Sequence, residues 1–443
     1  MVEPVPPVES AQSEQSEQSV VAAVALDELV EAWRRHQPDL LLHDPGGPAE
    51  SVVRSGQLVV GDRAYQAVTE RIDRWLDPPR DGDLHDDLRL ARLRLREPER
   101  ERCVEIAMEA STAVNGGTVP LSAFDDPNQR DQAARMSVSV NHVHVGCSTW
   151  TGTPIMFGTP IMFGTPIMFG TGSEADQAPA VPTPPDELWD PPVTVLVLDS
   201  GLDPHPWFTG RHWLSEWGLS PERLDSDGDD GQDRQAGHGT FVAGVVLQRA
   251  PGATIRHRRV LSSLGLTDDV TVVAGLRRSR LLAARRGSHI DVAVLAAGCH
   301  TVDNECPPLV RREIGKYADA VVVAAAGNNA TDRKFWPGAL PEVVAVAATG
   351  PDGRLAEFSN RGPWVDAAAP GVDVVSSFVN LQTGSGRSAP DTETRDYGFA
   401  RWSGTSFAAP LVAAEIANRR RAGAGSTDAA LLATAAFPVP ATP

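Results

Sequence analysis

Five short runs punctuate the second half of the chain: VTVLVLDS (193–200), TIRHRRVL (254–261), IDVAVLAAG (290–298), AVVVAAAGN (320–328) and VVAVAATG (343–350). All but TIRHRRVL, which carries three arginines and a histidine, are apolar at nearly every position and leave no face for water, so they read as strands covered on both sides. Helix-length segments separate several of them, and that alternation makes a mostly parallel sheet with helices on both faces. The expected fold class is therefore α/β. In such a sheet functional groups gather beyond the carboxyl ends of the strands.

Four stretches carry chemistry. Asp199 closes the first run, immediately before Ser200-Gly201. His238 stands between glycines in Gly237-His238-Gly239-Thr240, opening the apolar segment FVAGVVL. Asn328 follows Gly327 at the end of AVVVAAAGN, where a side-chain amide could donate to an oxyanion. Ser406 lies in SGTSFAAP (403–410), where small residues lead into a helix whose first-turn N–H groups favour a developing anion. Pro410 is expected to sit where those N–H groups have no intrahelical partner. Singly these are a strand end, a turn histidine, a turn asparagine and a helix cap. Jointly they supply an alcohol nucleophile, its base, an acid to orient the base, and an oxyanion donor. His300 is the last histidine in the chain, which excludes the order Ser, Asp, His. The order Asp, His, Ser is that of subtilisin.

On the motifs VLDSG, GHGTFVAG, AAAGNN and SGTSFAAP, the region from about 193 to 436 resembles a subtilisin-like serine peptidase, a subtilase. WPGALPEVVAVAATGPDGRLAEFSNRGPWVDAAAPG (336–371) is similar to the family's sequence between the asparagine and the serine. The resemblance implies a serine endopeptidase acting on protein or peptide substrates without a required cofactor. It makes Ser406 the nucleophile, His238 the general base, Asp199 its orienter and Asn328 an oxyanion donor. It also implies that substrate pairs as an extra strand along Leu295, Ala296, Ala297 and Gly298, whose small alanines suggest a roomy site for a large apolar residue before the scissile bond. Asp225, Asp227 and Asp229 have calcium-loop spacing, but the glycine stands one place late, at Gly231. A solvated acidic loop is the reading there, with a structural calcium as the alternative.

The first half is different. Residues 1–20 are Glu, Gln, Ser and Pro and read as a disordered acidic tail. Strand and helix periods then alternate through SGQLVVGD (55–62), AYQAVTERIDRWL (64–76), LRLARLRLREP (88–98), RCVEIAMEAS (102–111) and RMSVSVNHVHVG (135–146). That is a small α+β domain over 21–150, helices on one face of an antiparallel sheet and the other face wet; one extra strand would make it ferredoxin-like. Subtilases often carry a prodomain of that type, so the N-terminal domain is either an inhibitory prodomain or a permanent module that binds a partner. In the latter case the protein would be a subtilase-fold regulatory or binding protein with proteolysis secondary.

Residues 151–192 join the halves, beginning with TPIMFG three times over (153–170) and ending Pro-rich; residues 437–443 are a tail. A proline every sixth residue rules out a membrane helix and leaves each hexamer extended. The repeat is read as a linker or as an intramolecular inhibitor presented to the cleft. A net charge of −18 speaks against nucleic-acid and membrane partners. No signal-peptide pattern opens the chain, so a cytoplasmic or leaderless protein is expected. Cys299 and Cys306 are near enough in sequence to bridge; two free thiols is the plainer reading.

Overall fold

The computed structural model describes residues 30–31, 33–116, 121–124, 126–146, 175–214, 220–226, 228, 232–380 and 395–440. The acidic tail, Cys147, the TPIMFG repeat, Asp227, Asp229 and Gly231 lie outside them.

The N-terminal part contains β1 (Leu40–His43), β2 (Ser51–Gly61), α1 (Tyr65–Ile72), β3 (Leu84–His85), β4 (Leu90–Arg94), α2 (Cys103–Asn115), α3 (Pro127–Arg135) and β5 (Val138–Gly146). The order β5-β2-β4-β3, antiparallel at each step, with helices after β2 and β4, is the β-α-β-β-α-β arrangement of a ferredoxin-like fold. The two-residue β3 is the extra strand that the sequence pattern left unseen. Val53, Leu58, Val60, Leu93 and Leu95 meet Val68, Ile72, Val104 and Ile106 of the helices in one core.

The C-terminal part contains β6 (Asp176–Gln177), β7 (Thr194–Asp199), α4 (His238–Arg249), β8 (Thr254–Arg259), β9 (Leu266–Asp268), α5 (Asp269–Arg285), β10 (Val292–Leu295), β11 (Ala297–Gly298), α6 (Pro308–Ile314), β12 (Val321–Ala325), β13 (Val343–Thr349), β14 (Ala367–Pro370), β15 (Val374–Ser377), β16 (Phe399–Trp402), α7 (Thr405–Arg421) and α8 (Ser426–Ala436). Its main sheet runs β14-β13-β12-β10-β7-β8, parallel throughout. The period of two sorts its side chains cleanly. Val195, Val197, Val292, Val294 and Val323 face a core shared with α4 and α7, while Leu196, Leu198, Ala293, Leu295 and Ala324 face one shared with α5 and α6.

Contrary to the expectation of a wet face, the outer side of the N-terminal sheet lies against α5 and α6. Val59, Leu88 and Leu90 belong to the same core as Leu276 and Leu309. The buried Arg312 guanidinium donates to the Leu88 carbonyl (2.6 Å), and Arg277 donates to that of Asp87. Lys316 pairs with Asp131 at 2.6 Å. Cys299 and Cys306 are separate buried thiols. No helix of the described residues is long and apolar enough to cross a membrane.

Candidate active site

Asp199 ends β7 and His238 begins α4. Gly237 makes the turn into α4 feasible: its φ is +89°, and a Cβ there would come within 2.5 Å of the Phe378 ring. His238 Nδ1 lies 2.7 Å from Asp199 Oδ1, with both side chains essentially fully buried. The same carboxylate oxygen accepts the Ser200 N–H at 2.7 Å. Trp402 and Phe407 pack around the imidazole with centroids 5.5 and 5.2 Å away.

Ser406 is the second residue of α7, so its N–H is one of the first-turn donors without an intrahelical acceptor. Its hydroxyl donates to the Ala296 carbonyl at 3.0 Å, and His238 Nε2, buried, has no hydrogen-bond partner. Ser406 and His238 are thus not hydrogen-bonded to each other. Pro410 is the sixth residue of α7, deeper than the sequence reading placed it. A proline there removes the N–H that would bond the Ser406 carbonyl.

Asn328 has one settled orientation. Its Oδ1 accepts the Thr405 N–H (3.0 Å) and hydroxyl (2.9 Å), and a backbone N–H can only donate. Its Nδ2 is therefore the opposite end of the amide, buried and without a partner.

The four residues expected along a substrate cleft divide. Leu295 is the last residue of β10, inside the sheet opposite Leu198 and Ala324, away from the edge. Ala296 meets Ser406, and Ala297–Gly298 form the strand β11, already paired: Gly146 of β5 lies opposite Ala297 and Val145 opposite Gly298. On its other side β5 pairs with β9, Val143 opposite Asp268 and His144 opposite Thr267, and Gly146 N–H donates to Gly265 O at 2.7 Å. The N-terminal part thus ends as the middle strand of a three-stranded antiparallel arrangement whose outer strands belong to the C-terminal part.

That seat is built around a carboxylate. Asp269, fully buried at the start of α5, accepts His142 N–H (2.9 Å) and faces His142 Nδ1 (3.0 Å) and His144 Nε2 (2.7 Å). Burial opposes its ionisation, but the two histidines more than offset that and hold it down at about 2. The alternation of His142 and His144 in VNHVHV was the one sequence signal for this group.

The Phe335 ring stands beside Gly298 and Gly327. A Cβ on Gly298 would strike the Phe335 ring, and one on Gly327 would come within 3.0 Å of it. Phe335 is held there by paired backbone hydrogen bonds of 2.8 Å between Trp336 and Cys299, and by His300 edge-on at 5.2 Å. At the acidic loop, Asp225 Oδ1 accepts Gly228 N–H at 2.6 Å. Among the described residues no group of three or more His, Cys, Asp or Glu is arranged to hold a metal.

Residues 191–434 match the model of the subtilase family. A thermophilic serine proteinase of Bacillus sp. (strain AK1) is 32% identical over 229 residues, 49% of this chain and 50% of that protein. A cuticle-degrading serine protease of Arthrobotrys oligospora is 30% identical over 254 residues, 54% of each. The chain therefore spans about half the length of the curated relatives it matches. Among solved structures, a cold-adapted subtilisin-like serine proteinase aligns at 24% identity and a TM-score of 0.41, over 59% of this chain and 87% of that one. The family model covers more than half of the sequence, in the part that holds Asp199, His238, Asn328 and Ser406: the chain belongs to the subtilase family.

Proposed function

We propose that the chain is a serine endopeptidase in which Asp199, His238 and Ser406 form the triad and Asn328 with the Ser406 N–H forms the oxyanion site. The observation that carries this reading is the buried 2.7 Å contact between Asp199 and His238, beside a serine at a helix start and an asparagine whose N–H₂ has no other partner. His238 takes the Ser406 proton as Oγ bonds to the substrate carbonyl carbon. The carbonyl oxygen, now negative, is received by Asn328 Nδ2–H and Ser406 N–H. His238 then passes its proton to the leaving amine as the C–N bond breaks, and water hydrolyses the acyl-enzyme by the same steps reversed. Covalent labelling of Ser406 by a serine-directed fluorophosphonate tests this reading.

Substrate binds, on this proposal, in the place of β5. A strand in that register sets the residue preceding the cut bond opposite Ala296, on the same face as the residue opposite Gly298, where the Phe335 ring stands. The preferred residue before the cut is therefore small. Replacing Phe335→Gly should raise kcat/KM for peptides with Phe or Leu there by ~10-fold or more relative to Ala, the scale of a few buried methylenes. An unchanged Phe-to-Ala ratio would remove Phe335 from specificity. The Met and Phe of the TPIMFG repeat are poor occupants of such a space, which favours the linker reading of the repeat.

The N-terminal domain, on the same reading, restrains the enzyme by laying β5 along the cleft edge. Wild type and Ser406→Ala of equal full length after prolonged incubation would exclude self-processing; a shortened chain in wild type alone would support it.

A further inference from the structure

The triad neighbourhood holds a second carboxylate for which the mechanism above has no use. Glu222 is 2% exposed. Its Oε1 accepts the Ser200 hydroxyl at 3.2 Å and both the N–H and the hydroxyl of Thr240 at 3.1 Å. Ser200 directly follows Asp199, and Thr240 is two residues after His238. The Ser200 hydroxyl also accepts the Gly239 N–H at 2.8 Å, and the Thr240 hydroxyl accepts that of Asp203 at 2.8 Å. One carboxylate oxygen thus ties the end of β7 to the first turn of α4, whose N-cap Gly237 has no side chain to cap it.

We propose that Glu222 is a positioning residue of the hydrolytic site, holding Asp199 and His238 in register through Ser200 and Thr240 and placing a second ionisable carboxyl beside that pair. The proposal rests on the triad assignment above. The geometry requires a tie at this point. Asp199 and His238 stand on different elements, and their 2.7 Å contact persists only if the strand end and the helix start are fixed to each other. A misplacement of about 1 Å in such a pair costs on the order of 100-fold in rate.

The electrostatics make the role measurable apart from packing. Burial pushes the Glu222 carboxyl up to about 7; the Thr240 N–H works against that, and the negative Asp199 adds to it. The other charged or titratable groups near it are Asp203 behind Thr240, His238 on α4, the adjacent Arg223, and Arg259 on β8, with His257 of β8 on the Asp199 side. A carboxyl that ionises near neutrality beside the Asp199–His238 pair favours the protonated form of the pair. Taking that charge away should move the acid limb of the rate profile to lower pH.

The test compares wild type, Glu222→Gln and Glu222→Ala as full-length proteins, with a fluorogenic peptide amide ending in Ala and with a fluorophosphonate, from pH 5 to 9. Gln keeps an oxygen for the three donors and cannot ionise. It should retain the pH 8 rate within about 3-fold while its acid limb shifts down by ~0.5 unit or more. Ala removes the tie and should lower kcat by about 10- to 100-fold with KM changed less than 2-fold. An acid limb in Glu222→Gln that coincides with wild type, together with a wild-type kcat in Glu222→Ala, would overturn the proposal. If Glu222→Ala fails to fold, the acid limb of the Gln variant alone decides. Failure of both the wild type and an Asp269→Ala protein, in which the seat of β5 is removed, to label or hydrolyse at any pH would overturn the triad reading itself, and this proposal with it.

Discussion

Asp199→Asn should lower kcat/KM by about 10⁴-fold while leaving the melting temperature nearly unchanged. The substitution preserves shape: the amide oxygen can still accept from His238 and from the Ser200 N–H where Oδ1 now does. What it removes, on the proposed triad, is the negative charge that would stabilise the imidazolium as His238 takes the Ser406 proton, with both side chains buried. Low polarity magnifies the loss. Ser406→Ala should go further, eliminating covalent labelling and lowering turnover by ~10⁶-fold, with the remainder contributed by Asn328 and substrate binding. The two losses should not add, because base and nucleophile act as one unit. Peptide hydrolysis by Asp199→Asn within tenfold of wild type would sink the triad assignment, whatever Ser406→Ala does.

The parts of this site that were legible in sequence are those that need a particular residue in a particular local conformation. Asp199 at a strand end, His238 between glycines, and Ser406 among small residues at a helix start each carry a local signature, and the five runs became β7, β8, β10, β12 and β13 with only their ends displaced. The rest is tertiary. Glu222 sits in a loop with no periodic pattern, and only the approach of Ser200 and Thr240 gives it meaning. Phe335 reads as an ordinary aromatic before Trp336-Pro337 until the fold sets it against Gly298 and Gly327. In the N-terminal part, β4 and its flanks mix apolar residues with Arg, but period two cannot say whether the second face meets water or another domain. Leu88 and Leu90 show that it meets the other domain. The polar helix α3 was missed because it lacks an apolar stripe; Asp126 capping the Asn128 N–H, with Pro127 at the first helical position, was its available signal.

Asp269→Ala should release the restraint proposed for the N-terminal domain. Three donors of β5, the His142 N–H and the facing nitrogens of His142 and His144, converge on this one carboxylate. Hydrogen bonds to a charged group contribute about 1.5–3 kcal/mol each, and deleting the acceptor leaves buried donors unpaired. A net loss of about 3 kcal/mol in the seating of β5 corresponds to ~100-fold more open cleft. Hydrolysis of an added peptide by the full-length chain should rise by that order. His142→Ala should have a smaller effect and little further effect in the Asp269→Ala background, since both remove the same interaction. The pH dependence follows from the sign of the shift. A carboxyl lowered from 3.8 to about 2 stabilises the docked form fully above 3.8 and loses that contribution only as pH falls through about 2. From pH 5 to 9 the activation produced by Asp269→Ala should therefore be constant, as far as Asp269 itself is concerned. Equal peptide hydrolysis by wild type and Asp269→Ala, with equal hydrogen-exchange protection of Val143 and Val145, would mean that β5 does not restrain the site.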